Sequence, residues 1–423
     1  MIELIILSDD KKRVLTDRRG NILKLKLRNL HYADSKTINN EVNNKYALVT
    51  RVLCCLDFDR DSNSGTYVLE LIDNANVSCF KFDTLLKDIS KKFYNKVNEY
   101  ITTIDERPVW QKNGYSSELL QWSKKNLPEK VLSFDQIKIN ALSAVYKANC
   151  DNFSYYIKVV PEIFQTELGL TKYLEKNYPD SIPEIILIDY ENRIIVTKEI
   201  NGKMLYEVRE IGPWKNTLNT YAKIQIKEMT NTDTLLKKGF LDRTMKKLRN
   251  HIDEITMNLE KTIGDFGNDI TENEITLWNE SVYKMKELTK EIENSKIKNS
   301  IDHGDFYCAN IAISKDRIII FDWSDGCVTH PFISLVPFFY ECEFNEEEKE
   351  SLLQTYLMNF TEFDSYKNLR KEYELIKIIS ELHLAWTYYR ITSSLCKELK
   401  WETINSFYSC IKKTLKYFKE EEV

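Results

Sequence analysis

The sequence predicts an α+β protein with a strand-rich middle, a helical C-terminal half and a small α+β region in front of them. Three observations carry this reading. Between residues 131 and 202, short runs rich in β-branched and aromatic residues alternate with polar turns. From 214 to about 300, and again over the last hundred residues, the chain is charged and poor in Gly and Pro. Its apolar residues there fall at helical spacing, as in Leu235, Leu241, Met245 and Leu248. Residues 1 to about 100 carry strand-like runs of their own.

In the front region, strands are expected at 1–7, 22–27, 46–53 and 66–71, joined by polar turns at 17–20 and 59–65. A helix is expected over 83–100 with Asp83 as its N-cap, and 105–113 begins the link to the strand-rich part. The expected division is 1–105 for this domain, 106–202 for the strand-rich part with its linker, and 203–423 for the helical part. The front pattern carries no chemistry; packing, homodimerisation or covering of a substrate are the roles it allows.

The strand-rich part opens with two strands in 131–147, joined around residues 140–144, NALSA. Ser143 in that loop offers a hydroxyl, or is an ordinary hairpin residue. In the next run, 154–160, Lys158 places an ammonium group inside an apolar strand, which is costly unless an anion such as a phosphate partners it. The alternative is an edge-strand lysine whose stem covers the sheet. A helix is expected over 164–174, and Glu167 on it is well placed to pair with Lys158, with Glu162 as the competitor. Two more strands come at 182–189 and 193–202, where Gly202 fits the turn by which the chain leaves the sheet.

In the helical part, 341–350 reads as an acidic helix start, and Leu382, Trp386, Tyr389 and Ile391 form a packing face. Between these helices lies the most informative stretch, residues 301–311, IDHGDFYCANI. Two apolar runs at 311–313 and 318–321, separated by the polar turn 314–317, form a hairpin signature. Such a hairpin brings its open end together, so Asn310 entering and Asp322 leaving can converge on one cation beside Asp305. Magnesium takes oxygen ligands and often only one or two from protein, the rest coming from phosphates and water. This acid, amide and acid spacing is that of a phosphotransfer site. His303, next to a Gly turn, is expected to hold the loop by hydrogen bonds, since Asp305 already supplies an acceptor.

HGDFYCANIAI at 303–313 followed by IIIFDWSD at 318–325 resembles the signature of the aminoglycoside phosphotransferase and choline kinase superfamily. The resemblance covers roughly 130 to 415 and implies a protein-kinase-like bilobal fold, a β-rich nucleotide lobe and a helical C-terminal lobe, behind the small front domain. Some bacterial members resemble this chain in the front domain too, including an aromatic stretch like 107–115, RPVWQKNGY.

The resemblance further implies ATP or GTP with Mg2+ as cofactors and a small-molecule hydroxyl as acceptor, such as an aminoglycoside or other antibiotic, an amino alcohol or a sugar. Asp305 would take the hydroxyl proton, Asn310 and Asp322 would hold the metal, and Lys158, supported by Glu167, would contact the phosphates. Ser143 would lie in the phosphate loop, which here has no glycine, and Lys198 to Ile200 would read the adenine through their main chain. Ser334 stands where relatives carry an acid that supports the loop. Asp325 and the acids after 341 are candidates for a cationic acceptor or simply a solvated acidic face.

Composition narrows the partners. With net charge -5 and interspersed acids and bases there is no basic stripe for nucleic acid. No apolar run approaches the roughly 18 residues that span a bilayer, and no signal segment opens the chain, so a cytoplasmic protein is expected. Nine cysteines without CxxC spacing argue against a disulfide framework or a zinc site, and Cys308 is expected to be structural. The absence of GxxxxGK[ST] argues against a Walker-type phosphate loop. A nucleotide-binding regulatory protein without turnover is the second reading, and a protein kinase is disfavoured by the short segment after Asp322.

Overall fold

Strands at the front of the chain are built on β-branched and aliphatic residues, and they do not stand apart from the strands after residue 131. The fold was obtained as a computed structural model, which describes residues 1–8, 11–73, 80–85, 87, 89–266, 270–315, 317–340 and 342–419. Two compact units result. One comprises Met1–Glu162, Ile186–Glu199 and Leu395–Glu402, the other Ile163–Ile185, Ile200–Ser394 and Thr403–Val423. The expected boundary at 105 therefore falls inside the first unit.

That unit begins with β1 (Ile2–Ile6), β2 (Arg13–Thr16), β3 (Leu23–Leu25), α1 (Ser35–Tyr46), β4 (Val49–Asp59), β5 (Ser64–Asp73), β6 (Lys81–Leu85) and α2 (Lys91–Thr102). The sheet order is β3-β1-β5-β4, with β1 and β5 parallel, while β2 pairs with β6. The helix expected from Asp83 is corrected: residue 83 lies in β6, and the helix starts after Ser90 as N-cap. Pairing with β2 overrides local helix preference at 81–85. Helix α1 was unexpected. Its sequence SKTINNEVNNKY is polar, its apolar face is little more than Ile38 and Val42, and Asp34 caps it by accepting from Thr37 N–H.

After α3 (Tyr115–Asn126), a second sheet has the order β10-β11-β9-β8-β7, from β7 (Val131–Ile139), β8 (Ala144–Cys150), β9 (Ser154–Val159), β10 (Ile185–Asp189) and β11 (Ile194–Lys198). The front strands share one apolar cluster with it, in which Leu4, Val52 and Tyr67 pack with Phe134, Tyr146 and Ile157. Polar ties reinforce the junction. Gln136 on β7 accepts from Asn39 Nδ2 and Val52 N–H at 3.0 and 2.9 Å and donates to Val52 O at 2.8 Å.

The second unit holds α4 (Thr166–Asn177), β12 (Lys203–Met204), α5 (Ile211–Glu228), α6 (Thr232–Lys237), β13 (Leu241–Asp242), α7 (Met245–Phe266) and α8 (Glu272–Glu293). It continues with β14 (Ser300–Asp302), β15 (Ile311–Ser314), β16 (Arg317–Ile320), β17 (Cys327–Thr329), α9 (Leu335–Tyr340), α10 (Glu346–Leu357), α11 (Tyr366–Ser394) and α12 (Ile404–Lys419). Leu241 sits in a short strand beside β17 and not on a helix face. Leu382 and Trp386 are buried on α11 in one core cluster with Tyr389 partly buried against it, whereas Ile391 is buried outside that cluster. The acidic run is a helix start: Asn345 caps α10 in a capping box with Glu348, and Glu341 lies outside the described residues.

Gly202 is needed for a reason other than a turn. A Cβ there would lie 2.2 Å from Ile313 O, so β15 approaches the backbone too closely for any side chain. Among the described residues the cysteines are free thiols, and no helix is long and apolar enough to cross a membrane.

Candidate functional site

The hairpin of β15 and β16 forms as its β-branched runs predict, with Ile311 opposite Ile320 and Ser314 opposite Arg317. Asn310 ends a 3₁₀ turn, Cys308–Asn310, immediately before β15, and Asp322 comes just after β16. Two hydrogen bonds fasten these ends through Phe321. Its N–H donates to Asn310 O at 3.0 Å, and its O accepts from His303 Nε2 at 2.9 Å. His303 Nδ1 accepts from Asp305 N–H at 3.3 Å, so the ring is neutral and carries its proton on Nε2. His303 thus clips the Asp305 loop to the segment that delivers Asp322, the structural role its position suggested.

Asn310 donates through Nδ2 to Asp305 O at 2.9 Å and Asp305 Oδ2 at 3.2 Å. With the nitrogen turned to Asp305, Oδ1 is the atom it can offer to a cation. Asp322 accepts from Ser324 Oγ at 2.9 Å and has φ +62, in the left-handed region that a non-glycine residue adopts only under constraint. Asp305, Asn310 and Asp322 are therefore assembled in one unit by a continuous set of bonds.

Beneath this loop lies a carboxylate that the sequence did not single out. Asp302 is fully buried and accepts from Ser334 Oγ at 2.6 Å, Gly304 N–H at 2.9 Å, Tyr221 Oη at 3.2 Å and Ser334 N–H at 3.3 Å. Burial pushes its carboxyl up to about 6, opposed first by the Ser334 hydroxyl and then by the Gly304 and Tyr221 bonds. Ser334, standing where an acid was expected, so contributes the donor to a carboxylate placed at 302. A carboxyl directly before His-Gly-Asp was the available signal.

Asp325 is already partnered. It accepts from Arg243 Nη2 at 3.0 Å, and Arg390 Nη2 lies at 3.5 Å. Arg243 also donates to Thr387 Oγ1 and stacks on Trp386. The expectation that Asp325 binds a cationic acceptor finds no support in that pairing.

In the first unit, Lys158 lies on β9 opposite Ile195 and Val145 and is half-buried, on the face away from buried Tyr155, Ile157 and Val159. Lys198 closes β11 with its Nζ 3.6 Å from the centre of the Phe153 ring. Ile200 belongs to the second unit, as does Glu167, which is buried in the first turn of α4, whereas Glu162 is exposed.

Ser143 is buried in a loop whose amides are occupied. Asn140 Oδ1 accepts from Leu142 N–H and Ser143 N–H at 2.9 and 2.8 Å, and Ala141 N–H donates to Glu402 Oε2 at 2.9 Å. The main-chain amides of residues 141 to 143 are thus all engaged within the protein. An Asx turn, which needs no glycine, replaces the open cradle. Asn140→Ala is expected to cost about 1–3 kcal/mol in denaturant unfolding by stranding two amides, while Ser143→Ala should cost less than about 0.5 kcal/mol. Equal losses for the two would contradict this arrangement of the loop.

No protein-family model matches the sequence, and no curated protein is similar to it in sequence. Solved structures are similar in fold. An ethanolamine kinase from Plasmodium vivax aligns with TM-score 0.52 at 12% identity, over 76% of this chain and 93% of its own. A choline kinase from Streptococcus pneumoniae aligns with TM-score 0.50 at 17% identity, over 72% of this chain and all of its own.

The chain has the fold of these kinases.

Within this kinase-like fold the donor set suits a hard cation: Asn310 and Asp322 offer oxygens. Among the described residues, no group of three His, Cys, Asp or Glu could hold a metal ion. A cation held here would therefore draw part of its shell from phosphate and water, which is how magnesium is usually bound with nucleotides.

Proposed function

We propose that the chain transfers the γ-phosphoryl group of ATP or GTP to a hydroxyl of a small molecule. The bonded cluster of Asp305, Asn310 and Asp322 carries this reading. Asp305 would orient the acceptor hydroxyl and take its proton, with Asn310 Nδ2 holding its Oδ2 in place. Asn310 and Asp322 would hold magnesium, which when bound supplies charge stabilisation to the phosphates. Lys158 would neutralise phosphate oxygens, and the main chain from Lys198 to Ile200 would read the base. Phosphoryl transfer depends mainly on positioning and charge, so these few groups suffice.

The acceptor class proposed is a hydroxyl-bearing small molecule, such as an antibiotic, an amino alcohol or a sugar. Asp322→Ala is expected to weaken Mg-nucleotide binding by about tenfold or more in titration calorimetry, since it removes a metal oxygen. Unchanged affinity would contradict the metal assignment.

A second reading rests on the filled amides at 141–143: a nucleotide-binding protein without turnover. Magnesium-dependent phosphoryl transfer would exclude it, whereas nucleotide binding with no turnover on any acceptor would favour it.

A further inference from the structure

The amides of the loop that presents Asp305 are held in succession. Asp302 Oδ1 accepts from Gly304 N–H at 2.9 Å, Tyr221 Oη accepts from His303 N–H at 2.8 Å, and His303 Nδ1 accepts from Asp305 N–H at 3.3 Å. Tyr221 in turn donates to Asp302 Oδ2 at 3.2 Å, so the amides of 303 and 304 both depend on one carboxylate. That carboxylate is fixed from α5 and from the residue before α9. Tyr221 and Gln225 lie on α5, with Gln225 Nε2 at 3.5 Å from Oδ2, and Ser334 donates through Oγ at 2.6 Å and through N–H at 3.3 Å.

Each of these partners donates, and this makes the residue type at 302 specific. One backbone N–H faces each oxygen, Gly304 N–H on Oδ1 and Ser334 N–H on Oδ2, and neither can turn round to accept. A carboxylate satisfies both sides, whereas an amide must set its Nδ2 against one of the two, donor against donor. Tyr221 stays protonated and able to donate, because burial and then the neighbouring Asp302 push its hydroxyl well above the ordinary range. From His303 the bonds continue through Nε2 to Phe321 O and from Phe321 N–H to Asn310 O. Asp302 thus stands at the base of the bonds that order Asp305 and Asn310.

We infer that Asp302 is a positioning residue for phosphoryl transfer: through Gly304, Tyr221 and His303 it sets where the Asp305 carboxylate stands. The inference rests on the proposed reaction, with Asp305 as acceptor of the hydroxyl proton. Asp302 is fully buried, so it contributes no contact to nucleotide or acceptor, and its effect on the reaction is one of geometry. A displacement of about 1 Å at the reacting groups costs on the order of a hundredfold in rate. Loss of Asp302 therefore falls on kcat and leaves KM little changed.

The test follows diphosphate release from Mg-ATP by the full chain with pooled hydroxyl compounds as acceptors, beside unfolding in denaturant. Asp302→Asn is expected to lower kcat about a hundredfold, with the KM for Mg-ATP within about threefold of wild type. Two tyrosines of the same buried network separate positioning from stability. Tyr221→Phe removes the hydroxyl that holds His303 N–H and should lower kcat about tenfold. Tyr356→Phe removes a hydroxyl bonded to Gln225 Oε1 and Pro331 O, neither of them an amide of the Asp305 loop. It should lose a similar amount of stability and keep kcat within about twofold. Equal kcat for the two tyrosine variants, or a loss in KM in place of kcat for Asp302→Asn, would overturn the positioning role. A wild-type protein that releases no diphosphate would overturn phosphoryl transfer itself. Should Asp302→Asn not fold, the two tyrosine variants decide alone.

Discussion

Asp305→Asn is expected to lower phosphoryl transfer by about three orders of magnitude or more while Mg-nucleotide still binds within about threefold of wild-type affinity. The substitution is nearly isosteric and removes only the acceptor that takes the hydroxyl proton. Asn310 Nδ2 bonds both the main-chain O and Oδ2 of Asp305, so an amide oxygen at residue 305 can keep the loop in place. The His303 clip joins the Asp305 main-chain N–H to Phe321 O, and Asp322 should remain where it is. A fall in turnover with retained binding would place Asp305 at the chemical step. Turnover near the wild-type rate would remove the assignment, and lost binding would mean that Asp305 organises the site.

Gly304→Ala should have the largest effect on folding. Gly304 has φ +77, and a Cβ there would stand 2.4 Å from Asp325 O and 2.8 Å from two other atoms of Asp325. The left-handed backbone alone costs about 1–2 kcal/mol for a residue with a Cβ. The obstacle is backbone, held by residues tied into Arg243 and β17, so relief requires the Asp305 loop to shift. The total expected is about 3–5 kcal/mol, read as a lower midpoint in chemical denaturation together with loss of activity. Two controls separate this from a generic glycine effect. Gly212→Ala, in the first turn of α5 with nothing within 4 Å, should be neutral or slightly stabilising. Gly326→Ala meets the end of the flexible Leu170 side chain and should fall between the two. A Gly304→Ala protein as stable and active as the wild type would refute the packing described for the loop.

The part of the site that was legible in the sequence is local. His303, Asp305, Asn310 and Asp322 lie within twenty residues, and the turn and hairpin that join them are written in consecutive β-branched and polar residues. The strand around Lys158 was legible for the same reason, and so was the buried helical face at Leu382 and Trp386. What escaped notice depends on partners far apart in the chain. Asp302 looked like any strand-end acid until Tyr221 and Ser334 closed over it. Glu402 reached a loop 261 residues away, and nothing near it in sequence marked that contact.

The front region shows the same limit. Helix α1 carries so few apolar residues that no periodicity betrayed it, and its Asn39 becomes structural only by meeting Gln136 on β7. Residues 1–105 share a core with the strands after 131, and that shared burial cannot be read from either segment alone. Ser143 is the opposite case. Its position was legible, but whether its loop leaves amides open depended on Asn140 and Glu402.

Phosphoryl transfer to a small-molecule hydroxyl is decided by mass spectrometry on pooled hydroxyl compounds incubated with the protein and Mg-ATP or Mg-GTP. At least one compound is expected to gain a single phosphoryl group, with matching release of nucleoside diphosphate, and Asp305→Asn is expected to abolish the gain. Nucleotide that binds but yields neither a phosphorylated compound nor diphosphate, across antibiotics, amino alcohols and sugars, would contradict the proposed reaction.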